Sequence, residues 1–183
     1  MADGKVVNVS QTNHPGLSRA LKGGTSNYGI AIHFRMNTLP GGDFWGGQVF
    51  YNMSTAITLQ PLPQILTSKG AKNGGNVLGF TREDGNVVNA ILTTYWNDAA
   101  DDDRVHGESQ RLIQEAQKMA KKAKVNIRAL YLNYAAKWQD PIGGYGEDEV
   151  QFLKEMSTKY DPNGVFQNGI PGGYKVSGKN GSG

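Results

Sequence analysis

Glycine punctuation constrains this chain most. It has 25 glycines in 183 residues, many of them in clusters such as Gly23-Gly24, Gly41-Gly42, Gly46-Gly47, Gly74-Gly75 and Gly172-Gly173. Glycine adopts turn conformations that a Cβ disfavours, so each cluster ends or interrupts an element. Short strands and helices are expected between the clusters, with one long exception. Arg104–Lys124 carries Val105, Leu112, Ile113, Ala116, Met119 and Ala120 at helical spacing.

The other segments follow from local pattern. Val6–Val9 reads as a short strand, and Pro15–Leu21 as a short helix stopped by Gly23-Gly24. Ile30–Asn37 alternates, with Ile30, Ile32, Phe34 and Met36 as its apolar set, and therefore reads as a strand. After the Pro40-Gly41-Gly42 turn, Trp45–Met53 reads as another. Ala56–Gln60 is a strand stopped by Pro61 and Pro63, and Lys69–Asn76 a loop. Leu78–Phe80 and Val87–Trp96 suggest a strand pair around Asp84-Gly85. Asn97–Asp103 is an acidic turn, Ile127–Ala135 a strand and Asp148–Thr158 a helix. Strands interleaved with two main helices indicate an α+β fold, a mainly antiparallel sheet with helices on one face. The length fits a single domain over 1–176, with 177–183 as a flexible tail.

Composition narrows the function classes. Absence of Cys rules out disulfides and thiol chemistry, and a formal charge of +3 is mild. The Lys118–Lys124 run lacks aromatic interleaving, so it reads as a solvated helix end rather than a nucleic-acid site. No apolar run reaches membrane-spanning length and the start of the chain is polar, which makes the cytoplasm the default location. His14, His33 and His106 show no ligand spacing. Asp98, Asp101, Asp102 and Asp103 suit the positive end of the following helix better than a metal.

Several pieces recur in a recognisable order. They are Gly23-Gly24 with Asn27-Tyr28-Gly29-Ile30, Trp45-Gly46-Gly47, Lys72–Asn76, Tyr131–Ala135, Gln139–Ile142 with Tyr145-Gly146, Tyr160-Asp161-Pro162 and Pro171–Lys175. In this order they resemble the second half of the fungal FAD-linked oxidoreductases related to berberine bridge enzyme, of the PCMH-type FAD-binding family. The resemblance implies a remnant of the flavin-binding domain over 1–40, a substrate-domain-like part over 41–160 and a return segment over 161–176. It also implies two departures, a truncation before Asp3 and an internal deletion after Ser54. The first would remove the subdomain that grips the flavin pyrophosphate and forms the covalent link.

By the same resemblance, Gly23, Gly24, Asn27, Tyr28 and Gly29 would approach a flavin, with Asn133 and Tyr134 beside its ring system. The alternative for the glycine loop is a plain helix-to-strand turn. Strand alternation would put Tyr131 and Asn133 on one face and Tyr134 on the other. Along Asn89–Trp96 it would put Asn89, Ile91, Thr93 and Tyr95 together. Tyr95, Tyr131, Asn133 and Tyr145 are then the candidate catalytic residues, with core packing as the competing role for each.

Three functions compete. In the favoured one, the chain acts without flavin, as a binder or cyclase, isomerase or lyase for a hydrophobic secondary metabolite. In the second it remains an FAD-dependent oxidoreductase, with non-covalent FAD or a partner chain supplying the missing half. In the third it is a non-catalytic interaction domain. A homodimer is expected, because loss of half an enzyme uncovers apolar surface.

Overall fold

The computed structural model describes residues 1–36, 47–51, 55–72, 74–81 and 83–178. The chain divides into two compact units. The first is Met1–Pro40 with Gln64–Asp84 and Arg128–Gly183, and the second is Gly41–Pro63 with Gly85–Ile127. The architecture is α+β.

The first unit is helical and loop-rich. It holds α1 (Pro15–Ala20), α2 (Gln64–Lys72), α4 (Glu147–Tyr160) and α5 (Val165–Asn168). Pro15 opens α1, where its missing N–H costs nothing, and the chain turns at Gly23-Gly24 as its pattern predicts. Leu17 and Ala20 of α1 meet Leu153 of α4 in a core completed by Tyr28, Val77, Ile142, Tyr145 and Val176. The first turn of α4 is acidic (Glu147, Asp148, Glu149), matching the positive helix end. Glu149 pairs with Arg19 of α1, whose guanidinium lies 4.5 Å from the Phe152 ring centroid.

The second unit is a three-stranded antiparallel sheet, β1 (Gly47–Tyr51), β2 (Thr55–Leu62) and β3 (Val87–Thr94) in the order β1-β2-β3, with α3 (Asp102–Lys122) against β3. Val49 of β1 stands opposite Ile57, and Ile57 opposite Leu92. Asp98 caps the 3-10 turn Ala99–Asp101 by accepting from the Ala100 N–H at 2.9 Å, and Asp102 and Asp103 occupy the first turn of α3. The Trp96 indole donates to Asp102 at 2.6 Å.

Several expectations fail for identifiable reasons. Ile30–Met36 joins no strand among the described residues, and Ile30, Ile32, Phe34 and Met36 are 72–85% exposed. Alternation defines a face only where neighbouring strands receive it. Asn37, Pro40–Trp45, Met53, Asn73 and the tail beyond Gly178 lie outside the described residues. Pro61 does not stop β2. It stands opposite Val88 inside the β2–β3 ladder, which runs on to Leu62 opposite Val87. The loop expected from Lys69 begins only after α2. Leu78–Phe80 forms no strand, because Gly79 turns at φ +73° with the Tyr145 backbone against it. Val6–Val9 is also unpaired in any ladder. Ile127–Ala135 is not a strand but an extended run closed by a 3-10 turn at Leu132–Tyr134.

Candidate functional site

The loop after α1 turns inward. Gly23 adopts φ +127°, and a Cβ there would lie 2.8 Å from Leu78 and 2.9 Å from Val77. At Gly24 a Cβ would lie 2.5 Å from the Ala20 carbonyl and 2.7 Å from the Tyr28 ring. The room these glycines leave is filled by the chain's own side chains. Thr25, β-branched, is held at φ +58°, a conformation that only firm surroundings maintain.

Asn27 is the centre of this arrangement and is buried. Its Nδ2 donates to the Gly24 carbonyl at 2.8 Å, to Thr25 Oγ1 at 2.8 Å and to the Tyr174 carbonyl at 3.1 Å. Its Oδ1 accepts from Gln167 Nε2 at 2.8 Å. Asp161, also buried, accepts from the Val165 and Phe166 N–H groups at 2.7 Å each and so caps α5. Lys175 closes the other end, donating to the Phe166 carbonyl at 2.9 Å. The two sequence stretches around 21–30 and 159–175 thus interlock through side-chain hydrogen bonds. Sequence reasoning did not assign roles to Thr25, Gln167 and Lys175. The Asp161-Pro162-Asn163-Gly164 run ahead of Val165 is the signal that could have exposed the cap.

Tyr28 is fully buried, and its hydroxyl has no hydrogen-bond partner among the described residues. Burial pushes its pKa up, with Tyr145 adding to the effect. Tyr145 is likewise a core residue. Its hydroxyl donates to the Gly23 carbonyl at 2.9 Å, and burial, then Tyr131, pushes its pKa up to about 12. A phenol held this way keeps its proton at neutral pH and points at the backbone, so this geometry gives Tyr145 a structural role.

Tyr131, Asn133 and Tyr134 do come together, though not by strand alternation. The 3-10 turn lets Asn133 Nδ2 donate to the Tyr131 hydroxyl at 3.0 Å and sets the Tyr131 and Tyr134 rings edge to face at 5.1 Å. Tyr134, expected on the opposite face, therefore joins the same cluster. Asn133 is exposed and Tyr134 is 54% exposed. Nearby, the Tyr174 hydroxyl donates to the Ala135 and Ala136 carbonyls at 2.7 and 2.8 Å, anchoring the segment that follows. Asp140 accepts from the Gly143 N–H at 2.9 Å, a turn contact.

Tyr95 belongs to the second unit, lies beyond the last residue of β3 and is 69% exposed. Asn89, Ile91 and Thr93 occupy alternate positions of β3 and are each partly buried, but burial alternates only as far as Ile91. The histidines are structural or exposed. His14 precedes α1 with its Nδ1 3.3 Å from the Tyr160 hydroxyl, His106 lies edge-on to Trp96, and His33 is exposed.

A flavin is the group the family resemblance implies. The loop of Gly23, Gly24, Asn27, Tyr28 and Gly29 does not fit that role. Asn27's amide is fully engaged within the chain, Tyr28 lies in the core, and the glycine spaces are filled by Tyr28, Val77 and Leu78. Asn133 and Tyr134 remain open to a ligand.

The chain is similar to segments of larger fungal proteins. A FAD-dependent monooxygenase of Aspergillus calidoustus is 39% identical over 118 residues, 64% of this chain and 22% of that protein. One of Emericella nidulans is 34% identical over 118 residues, 64% of this chain and 25% of that protein. One of Cochliobolus heterostrophus is 36% identical over 121 residues, 66% of this chain and 23% of that protein. The matched segment thus spans about a quarter of these relatives' length. The kinship is with fungal FAD-linked proteins. No family model matches the chain. No solved structure matches it.

Proposed function

We propose that this chain works without a flavin of its own, as a binding module for a planar hydrophobic metabolite received on Tyr131, Asn133 and Tyr134. The inward orientation of the Gly23–Gly29 loop carries this reading. The groups that would have met a flavin hold the fold together, while the tyrosine–asparagine cluster faces outward. Its chemistry suits an aromatic, carbonyl-bearing ligand. The exposed Tyr134 ring offers a stacking surface. Tyr131, accepting from Asn133, keeps its own O–H free to donate to a ligand carbonyl. Hydrogen-bond donation of that kind favours enolisation and ring closure, the cofactor-free cyclase or isomerase chemistry this reading extends to. The origin we assign is the berberine bridge enzyme-like branch, supported by the ordered pieces from Gly23 to Tyr160-Asp161-Pro162.

The test is a visible absorbance spectrum of the purified protein before and after incubation with FAD, together with fluorescence titration by a hydroxylated anthraquinone. Quenching that Tyr134→Ala and Asn133→Ala each weaken about tenfold is expected, with no flavin bands. Flavin bands co-eluting with the protein would overturn the reading.

The relatives favour a second reading. They are named as FAD-dependent and are about four times the length of the matched segment. In that reading the chain is one part of a flavin oxidoreductase whose flavin-holding part is supplied by another polypeptide. Flavin retention only on mixing with such a polypeptide would distinguish it from the first.

A further inference from the structure

The second unit has little core of its own: among its described residues only Ala56 is buried. Its one long helix, α3, turns Val105, Ile113 and Ala120 toward partial burial and leaves a second apolar stripe outside. That stripe is Leu112, Ala116, Met119 and Ala123, spaced four, three and four residues apart. Leu112 is 47% and Met119 72% exposed, and the two alanines are exposed as well. This is the seam spacing of helices that pack side by side, with large and small side chains alternating.

The charges beside the seam say what covers it. The start of α3 and its approach carry four acids (Asp101, Asp102, Asp103, Glu108) against Arg104 and Arg111, which pair with Asp101 and Glu108, and its end carries four lysines (Lys118, Lys121, Lys122, Lys124) against Glu115, so the first half is net negative and the second net positive. Two copies laid parallel would set acid on acid and lysine on lysine. Two copies laid antiparallel set each acidic end against a basic one, so the surface is complementary to itself in that direction only. A two-fold axis between Glu115 and Ala116 brings Leu112 onto the partner copy's Met119 position and Glu108 beside its Lys122 position. Glu115 then stands opposite the partner copy's Ala116 position and next to its own symmetry mate. Each of these carboxylates is already paired with Lys118 of its own chain at 2.6 Å, which lowers the repulsion.

We infer that the exposed seam of α3 is a homodimer interface, in which two copies pack their α3 helices antiparallel about a two-fold axis. It goes beyond the binding module proposed above and does not depend on it, since it concerns the other unit.

Analytical ultracentrifugation of the whole chain tests it. A species of twice 19.8 kDa is expected at about 10 µM. Met119→Glu and Leu112→Glu should each give a monomer with an unchanged circular dichroism spectrum. Glu108→Lys should weaken the dimer about tenfold at low salt. Adding Lys122→Glu in the same chain should restore it, because the swapped charges meet again across an antiparallel pair. A wild-type monomer at that concentration, a dimer that survives both seam substitutions, or a charge swap without rescue would each overturn the inference.

Discussion

Asn27→Ala separates a structural loop from a ligand-facing one. The substitution removes three acceptor contacts shared by the two Nδ2 hydrogens and one bond accepted by Oδ1. A net bond of this kind contributes about 1 kcal/mol, and a buried group left unpaired costs about 1–3 kcal/mol. Two partners have a fallback. Thr25 Oγ1 and the Tyr174 carbonyl still reach each other at 3.4 Å, and Gln167 Nε2 lies 3.5 Å from the Asn27 carbonyl. The Gly24 carbonyl loses its side-chain donor outright. The expected loss is therefore about 3 kcal/mol, less than the sum of four independent bonds because the members share partners. Urea unfolding followed by far-ultraviolet circular dichroism would show it as a lower midpoint at unchanged slope, a shift of about 1–3 M for usual slopes. Asn133→Ala is the control: it is exposed with one side-chain bond, so a change within about 0.5 kcal/mol is expected. If Asn27→Ala changed stability no more than Asn133→Ala, the claim that this loop serves the fold would be refuted.

Further tests follow from the same core. Asp161→Ala uncaps α5 at one buried and one part-buried N–H group and should cost about 2 kcal/mol, whereas Asp161→Asn keeps one acceptor and should lose about half as much. Gly24→Ala forces a Cβ against the Ala20 carbonyl and the Tyr28 ring. It should destabilise by about 1–3 kcal/mol, read as an earlier thermal transition. Tyr145 has its pKa raised from 10.0 to about 12, and Tyr28 moves in the same direction. Between those values the unfolded chain has released protons that the native chain still holds. Stability is thus fully present below about pH 10 and falls as pH rises toward 12. The urea midpoint measured across that range should drop, and Tyr145→Phe should make the drop shallower.

The sequence by itself determined the elements whose signals are local. Pro15 ahead of an apolar turn, Gly23-Gly24 after it, the periodic stripe from Val105 to Ala120 and the apolar positions between Asp148 and Thr158 depend on neighbours within one or two helical turns. α1, α3 and α4 were legible for that reason. The ordered pieces from Gly23 to Lys175 likewise carry the kinship with fungal FAD-linked proteins in the sequence itself.

Tertiary structure decided everything that needed a partner distant in sequence. Ile30–Met36 carries a clean strand pattern and joins no ladder among the described residues, because alternation encodes a face and not the strand that meets it. Pro61 lies inside β2, opposite Val88, although a proline reads in the sequence as the end of a strand. Tyr145 and Asn27 look like site residues in a line of text. They became core residues only when Gly23, Tyr174 and Gln167, up to 147 positions away, closed around them. Tyr131, Asn133 and Tyr134 met through a 3-10 turn that no period-two reading could yield. Which polar groups face a ligand and which hold the fold is set by where each hydrogen bond ends. Composition and spacing fix the groups available, and only packing fixes their partners.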